Sequence, residues 1–327
     1  MVKIAVGLGF TLGGLYIAFR RIDLVALGDI LSRAHGAWIV LGALLLILSV
    51  WIRAMRWQIL MGPIKKIGVV PLFSTTMIGY FGNSVLPLRM GELLRAHAIH
   101  REETTVTTAS AFGTIVVERL LDLIGVIVLT VIFFFLYSVP PWLTRSGITL
   151  GVVVIGSSLI LWWMQRAHRD WLERLDSVKL LQRGIGNDIR HLIHSFVEGL
   201  ITLKRADRTG RVVLYTALMW FIYWVITQLS AYALDISLSW VEVGVILVAT
   251  TMVISVPSAP GYIGTYHAAA FLIMTEMFGK PETVARAYAI VNHAVGFVPL
   301  ILIGFFFLLK SSVRLGELKR LEIGDRP

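Results

Sequence analysis

No cysteine occurs anywhere in the 327 residues. Its absence excludes disulfides, thiolate metal sites and cysteine nucleophiles. Charge is scarce as well. Charged residues make up 15% of the chain and hydrophobic ones 57%, where a soluble domain carries roughly a quarter charged residues. There is no Gly-Lys-Ser/Thr nucleotide loop, so coupling to ATP within this chain is not expected. There is no interleaved basic and aromatic surface of the kind that grips nucleic acid, and no stretch that reads as a separate soluble domain. No cofactor and no metal are expected. His97 and His100 share a helix face, but two histidines without further ligands do not make a zinc set.

What the chain has is apolar length. Runs near Ile4–Phe19, Ala37–Ile52, Val69–Leu86, Thr114–Tyr137, Ile148–Met164, Val212–Leu234, Val241–Val256, Ile263–Phe278 and Val284–Leu309 are candidates for membrane segments. They approach or exceed the ~18–20 residues that cross a bilayer. The fold expected is all-α, a polytopic integral membrane protein of about eight segments, forming one transmembrane domain over residues 1–327. The first run ends in Arg20 and Arg21 without a small-residue cleavage site, so it reads as a retained helix rather than a signal peptide. Trp38, Trp51, Trp142, Trp162, Trp163 and Trp240 fall near segment ends, where an amphipathic ring suits the interface.

The net charge is +10. The basic residues gather in Arg53–Gly68, in the loop after Met164 and in the tail. Positive loops face the cytoplasm, which orients a multi-pass protein of the inner (plasma) membrane with a cytoplasmic C-terminus. The first loop, with Arg20, Arg21 and Arg33, fits this rule poorly and reads as an interfacial helix. Within the loop at about 166–210, Ile185, Ile189, Leu192, Ile193, Phe196, Leu200 and Leu203 recur at helical spacing. That pattern is an amphipathic helix on the inner membrane surface, or a gate or partner site.

Two apolar segments are interrupted. In "GYFGNSVLPLRMGELLRAH", Pro87 disfavours helical geometry at Leu86. A shorter, more polar helix resumes from Leu88 to about His100. The charge count by loops works only if this segment enters from the cytoplasm and returns to it. In "SVPSAPGYIGTYH", Pro257, Pro260, Gly261 and Gly264 prevent one continuous helix. One break in each half points to a transporter-like site near the membrane middle; simple kinks are the alternative.

Charge then selects residues. Arg89, Glu92 and Arg95 are spaced by three and share a face. Glu118, Arg119 and Asp122 open the following span. Ions in hydrocarbon face a cavity or pair with one another. Two readings stay open: a structural ion network, or a site where arginines also meet an anionic head group, since the guanidinium fork fits phosphate. Asn83 and Gly91 border the first break. Tyr266, His267, Asn292 and His293 lie on second-half segments able to face the same cavity, and each is equally readable as a packing residue.

Three blocks carry a resemblance. "GNSVLPLRMGELLRA", "VVERLLDL" and "VPSAPGYIGTYHAA" resemble those of the transmembrane domain of lysylphosphatidylglycerol synthases and related stand-alone flippase-like proteins. The resemblance implies re-entrant helices meeting inside the bilayer. It also implies translocation of an anionic phospholipid, an aminoacyl-phospholipid or a polyprenyl-linked lipid. Where the family often has an acidic residue in the third block this chain has His267, which implies a different charge or substrate preference there. The sequence ends at Pro327 without the soluble aminoacyltransferase domain of bifunctional members, so synthase activity is not expected. A membrane-embedded transferase on a lipid-linked substrate, or a non-catalytic partner in envelope biogenesis, are the rival readings. The partners expected are membrane lipids, with a second copy of the chain or an envelope-biosynthesis protein left open.

Overall fold

The computed structural model describes residues 23–86, 90–141, 143–149, 206–255 and 260–312, with positions 13, 16, 151, 152 and 156. The run at Ile4–Phe19, most of the run at Ile148–Met164, the amphipathic stretch before Ala206, and Pro87, Arg89 and Pro257 lie outside the described residues. The named elements are all helical: α1 (Leu24–Ser32), α2 (Gly36–Met61), α3 (Val69–Val85), α4 (Gly91–Glu102), α5 (Thr108–Leu136), α6 (Ala206–Tyr232), α7 (Trp240–Ser255), α8 (Thr265–Leu272) and α9 (Glu282–Lys310). A 3-10 turn, Pro260–Tyr262, precedes α8, and a π-helical turn, Ile273–Met277, follows it.

Length sorts these helices into two kinds. Among the described residues, Gly36–Met61, Thr108–Leu136, Arg208–Tyr232 and Glu282–Lys310 are long and apolar enough to cross a membrane. At 1.5 Å per residue they reach roughly 40 Å, against a hydrocarbon core of about 30 Å. Helices α3, α4, α7 and α8 have 17, 12, 16 and 8 residues, which is about 12–25 Å. None of these four is long enough to cross alone.

The short helices form two hairpins. In the first, α3 packs along α4. Leu86 ends α3 in an extended conformation, φ −92° and ψ 145°, the geometry a following proline imposes. The arms approach without side chains between them. A Cβ on Gly82 would lie 2.8 Å from the Gly91 Cα, and one on Gly91 would lie 2.0 Å from the Gly79 carbonyl oxygen. In the second, α7 packs on α8, and the chain turns through Gly261 (φ 67°) and Gly264 (φ 90°). Glycine takes such left-handed backbone at little cost.

Each hairpin returns to the end of the bundle it left. Lys65, before α3, donates to Glu103 and, at 2.8 Å, to Thr105 Oγ1, both after α4. Lys280, after the π turn, donates to the Ser237 carbonyl before α7 at 2.8 Å. These ties lie at opposite ends. Lys65 N–H donates to the Met61 carbonyl at the end of α2. Beside Ser237, Asp235 meets His35 at the start of α2, 3.0 Å apart, and the His35 N–H donates to Ala233. The hairpins therefore enter from opposite ends and meet tip to tip: the Pro260–Tyr262 turn packs on α3, with Gly261 beside the Ser84 carbonyl.

Two boundaries correct the sequence reading. α2 continues to Met61 instead of ending at Ile52. Arg53 and Arg56, read above as loop residues, are helical and 4% and 0% exposed. They extend the buried stripe Leu46, Val50, Arg53, Trp57, Leu60, whose three- and four-residue spacing keeps one helix face inward. α5 starts at Thr108, capped by Thr107 Oγ1, which accepts from the Ser110 N–H at 3.1 Å. Glu118, Arg119 and Asp122 thus do not open the helix but sit roughly 15–20 Å along it.

Candidate functional site

The first hairpin, α2 and α5 bring together an arginine–carboxylate network. Arg95 of α4 donates to both oxygens of Glu118, at 2.8 and 3.0 Å. Its Cζ lies 3.7 Å from the Trp57 ring centroid, a cation–π contact. Arg53 Nη1 donates to Glu118 at 2.8 Å and to Asp122 at 2.7 Å. Arg56 donates to Asp122 at 2.6 Å and to Thr216 Oγ1 of α6 at 2.9 Å. Arg119 reaches Glu92, Glu118 and Asp122 at 3.2, 3.3 and 3.4 Å. Asn83 Nδ2 donates to Glu92 at 3.4 Å.

Placement explains why such charge is tolerated. A buried ion is strongly destabilising alone and stable only when paired with its hydrogen-bonding capacity used. Glu118 is fully buried and is met by three guanidinium groups. Among the described residues the network sets four guanidinium groups against three carboxylates, leaving one positive charge over. Among the described residues, Arg53, Arg56 and Arg95 hold carboxylate contacts of 2.6–3.0 Å, whereas those of Arg119 are 3.2–3.4 Å. Arg119 is also the least buried of the four, its side chain 27% exposed.

A cavity of about 600 Å³ opens where the two hairpins meet. Its charged lining is Arg53, Glu92, Arg119 and Asp122. Ser84 and Asn83 reach it from the first tip, Tyr262 and Tyr266 from the second. The rest is mostly aliphatic and aromatic, including Val50, Phe112, Leu123, Trp220, Ile226 and Phe297. Such a volume lies within the range of small-ligand pockets, roughly 300–1,000 Å³.

Among the described residues, the second half brings uncharged side chains to this point. Asn292 Nδ2 donates to the Tyr266 hydroxyl at 2.8 Å, and Ser230 Oγ donates to Asn292 Oδ1 at 3.1 Å. His293 Nε2 lies 2.8 Å from the Gly261 carbonyl at the tip. The His267 and His293 rings are 4.6 Å apart between centroids.

A family model described as the lysylphosphatidylglycerol synthase TM region matches residues 3–304. The chain belongs to this family. It is also 25% identical over 313 residues to UPF0104 membrane protein PH1989 of Pyrococcus horikoshii, a match covering 86% of this chain and 89% of that protein. No solved structure matches the chain significantly. The described residues of the three sequence blocks fall beside the tip of the first hairpin, in the ionised stretch of α5 and at the tip of the second hairpin.

Of the residues singled out from sequence, Asn83, Glu92, Arg119, Asp122, Tyr266 and Asn292 line the cavity. Arg95 and Glu118 are buried in the network behind it. His267 of α8 and His293 of α9 lie behind the second tip with their rings tilted at 44°. Gly91 is the close-approach point of the first hairpin, and Pro260, Gly261 and Gly264 form the second turn. His97 and His100 lie 6.2 Å apart between ring centroids on α4, and His100 Nδ1 is engaged by the Val106 carbonyl at 2.7 Å. Sequence reasoning missed Arg53, Arg56 and the Trp57 platform. The signal was present: the three residues continue the inward stripe of α2 beyond the point where apolar composition ends.

Proposed function

We propose that this protein is a lipid translocase. It takes the anionic head group of a phospholipid, aminoacyl-phospholipid or polyprenyl-phosphate-linked lipid into the central cavity and leaves the tails in the bilayer. The observation that carries this reading is Arg119: it lines the cavity, is the most exposed guanidinium of the network, and its contacts to carboxylates among the described residues are long. A phosphate oxygen entering beside it gains a charge-assisted, two-pronged partner. The network's surplus positive charge favours an anion. Arg53 is the second cavity-facing guanidinium, while Glu118, Asp122 and Glu92 position both. The apolar remainder of the cavity suits the glycerol and first methylenes of a lipid.

The hairpins supply the moving parts. Neither spans, and each is anchored at one end of the bundle and free of covalent attachment at its tip to the other hairpin. Small shifts of either tip would expose the cavity to one side. The basic ends, with Lys65, Lys66 and Arg101 beside the first hairpin and Lys310 closing α9, face the cytoplasm of the inner membrane by the positive-loop rule.

Reconstitution into vesicles tests the reading. Labelled phosphatidylglycerol, an aminoacyl-phosphatidylglycerol, phosphatidylethanolamine and a polyprenyl phosphate are each followed across the bilayer, with and without an ion gradient. At least one moves faster than in protein-free vesicles; if none does, the reading is wrong.

A further inference from the structure

We infer that His293 is a proton-binding site that couples movement of the second hairpin to the proton gradient. The coupling rests on the translocase reading above; the proton site itself does not.

The geometry fixes the hydrogen on one ring nitrogen. His293 Nε2 lies 2.8 Å from the Gly261 carbonyl. A carbonyl only accepts, so Nε2 carries the hydrogen and the neutral ring keeps a bare Nδ1. That nitrogen is where a proton adds. Aromatic faces then flank the ring. The ring lies nearly flat on Phe297, 4.3 Å between centroids at 17°, with Tyr266 at 5.1 Å and His267 at 4.6 Å. Aromatic faces attract a positive charge through their quadrupole, and more so away from water.

Protonation has a mechanical consequence. The Nε2–H bond to Gly261 becomes charge-assisted, roughly twice as strong as its neutral form. Gly261 is a left-handed residue of the second tip, φ 67°, and sits beside the Ser84 carbonyl of the first. The protonated state therefore holds the second tip on α9, beside the first, and loss of the proton loosens it. Tyr266 and Phe297 also line the head-group cavity, so lipid and proton share walls.

The titratable groups facing His293 are Tyr266 and His267 from α8, while Tyr262 of the tip turn packs against Phe297 beside it. The ionised Glu92, Arg119 and Asp122 line the same cavity from α4 and α5, and Arg53 from α2. Two imidazoles this close do not both hold a proton cheaply, since like charges disfavour each other. The pair therefore takes one proton, not two.

Two measurements test this. In histidine-labelled protein, ¹⁵N NMR follows the imidazoles across pH. A resonance that disappears in His293→Gln titrates while the protein stays folded, and Phe297→Leu moves that titration to lower pH. Absence of such a titration overturns the inference. In vesicles, a difference of about one pH unit shifts the steady-state lipid distribution about tenfold if one proton couples to each lipid. His293→Gln, which keeps an N–H donor for Gly261, still moves lipid but loses that response. Lipid movement indifferent to the gradient overturns the coupling while leaving translocation standing. If no lipid moves at all, the translocase reading fails and the NMR titration alone decides the proton site.

Discussion

Arg95 grips Glu118 through two parallel hydrogen bonds, at 2.8 and 3.0 Å, and so fastens the first hairpin to α5. Both side chains are essentially inaccessible, and Glu118 also receives Arg53 and Arg119. Glu118→Gln removes the charge that three guanidinium groups share. Breaking a buried pair on one side costs about 3–5 kcal/mol. The variant is expected to show a clearly lower melting temperature in detergent, read by tryptophan fluorescence. A melt unchanged from the parent would mean that the network does not hold the fold.

The hairpin glycines give a second prediction. On Gly91 a methyl would lie 2.0 Å from the Gly79 carbonyl oxygen, whereas on Gly28 it would meet nothing within 4 Å. Overpacking of this kind destabilises by about 1–3 kcal/mol or more. Gly28→Ala, within α1, is instead expected to be neutral or stabilising by up to about 1 kcal/mol. Denaturation of both variants side by side checks the contrast.

Topology is testable because the chain has no native cysteine. Single cysteines at Lys66 and Thr104 flank the first hairpin, and at Ser237 and Glu276 the second; all four positions are exposed. An impermeant thiol reagent applied to one side of sealed vesicles should label the first two together and spare the others. Labelling from the opposite side should reverse the pattern. Mixed labelling within either pair would contradict the return of that hairpin to its own face.

Much of this architecture was legible in the sequence. Proline and glycine mark both tips, because neither residue type suits a helix interior, and apolar length marks the long helices. Glu118, Arg119 and Asp122 stood out as ions inside an apolar run. Arg53 and Arg56 did not, because a basic residue after an apolar run normally ends a span. Only carboxylates 65 to 69 residues further on make them buried, and no local pattern encodes that pairing. The opposite approach of the two hairpins was half visible: the loop charges implied a return for the first, but the ties of Lys65 and Lys280 are contacts of the folded chain.

The pairs within the network should differ in strength. A double-mutant cycle between Glu92 and Arg119, using glutamine at both positions, is expected to give a coupling of about 1 kcal/mol or less, as for partly exposed pairs. The same cycle between Arg95 and Glu118 should give a much larger value. Equal couplings would argue that Arg119 is as firmly held as the buried arginines and has no capacity to exchange partners.

In the proposed translocation, Arg119 meets the lipid head group in the cavity. The most direct test compares Arg119→Gln with the parent in vesicles, using whichever lipid the parent moves fastest and confirming folding by melting. Arg119→Gln is expected to slow lipid movement at least about tenfold, the effect of one missing charge-assisted contact, with a melting temperature close to the parent's. Unimpaired lipid movement in a folded Arg119→Gln protein would contradict it.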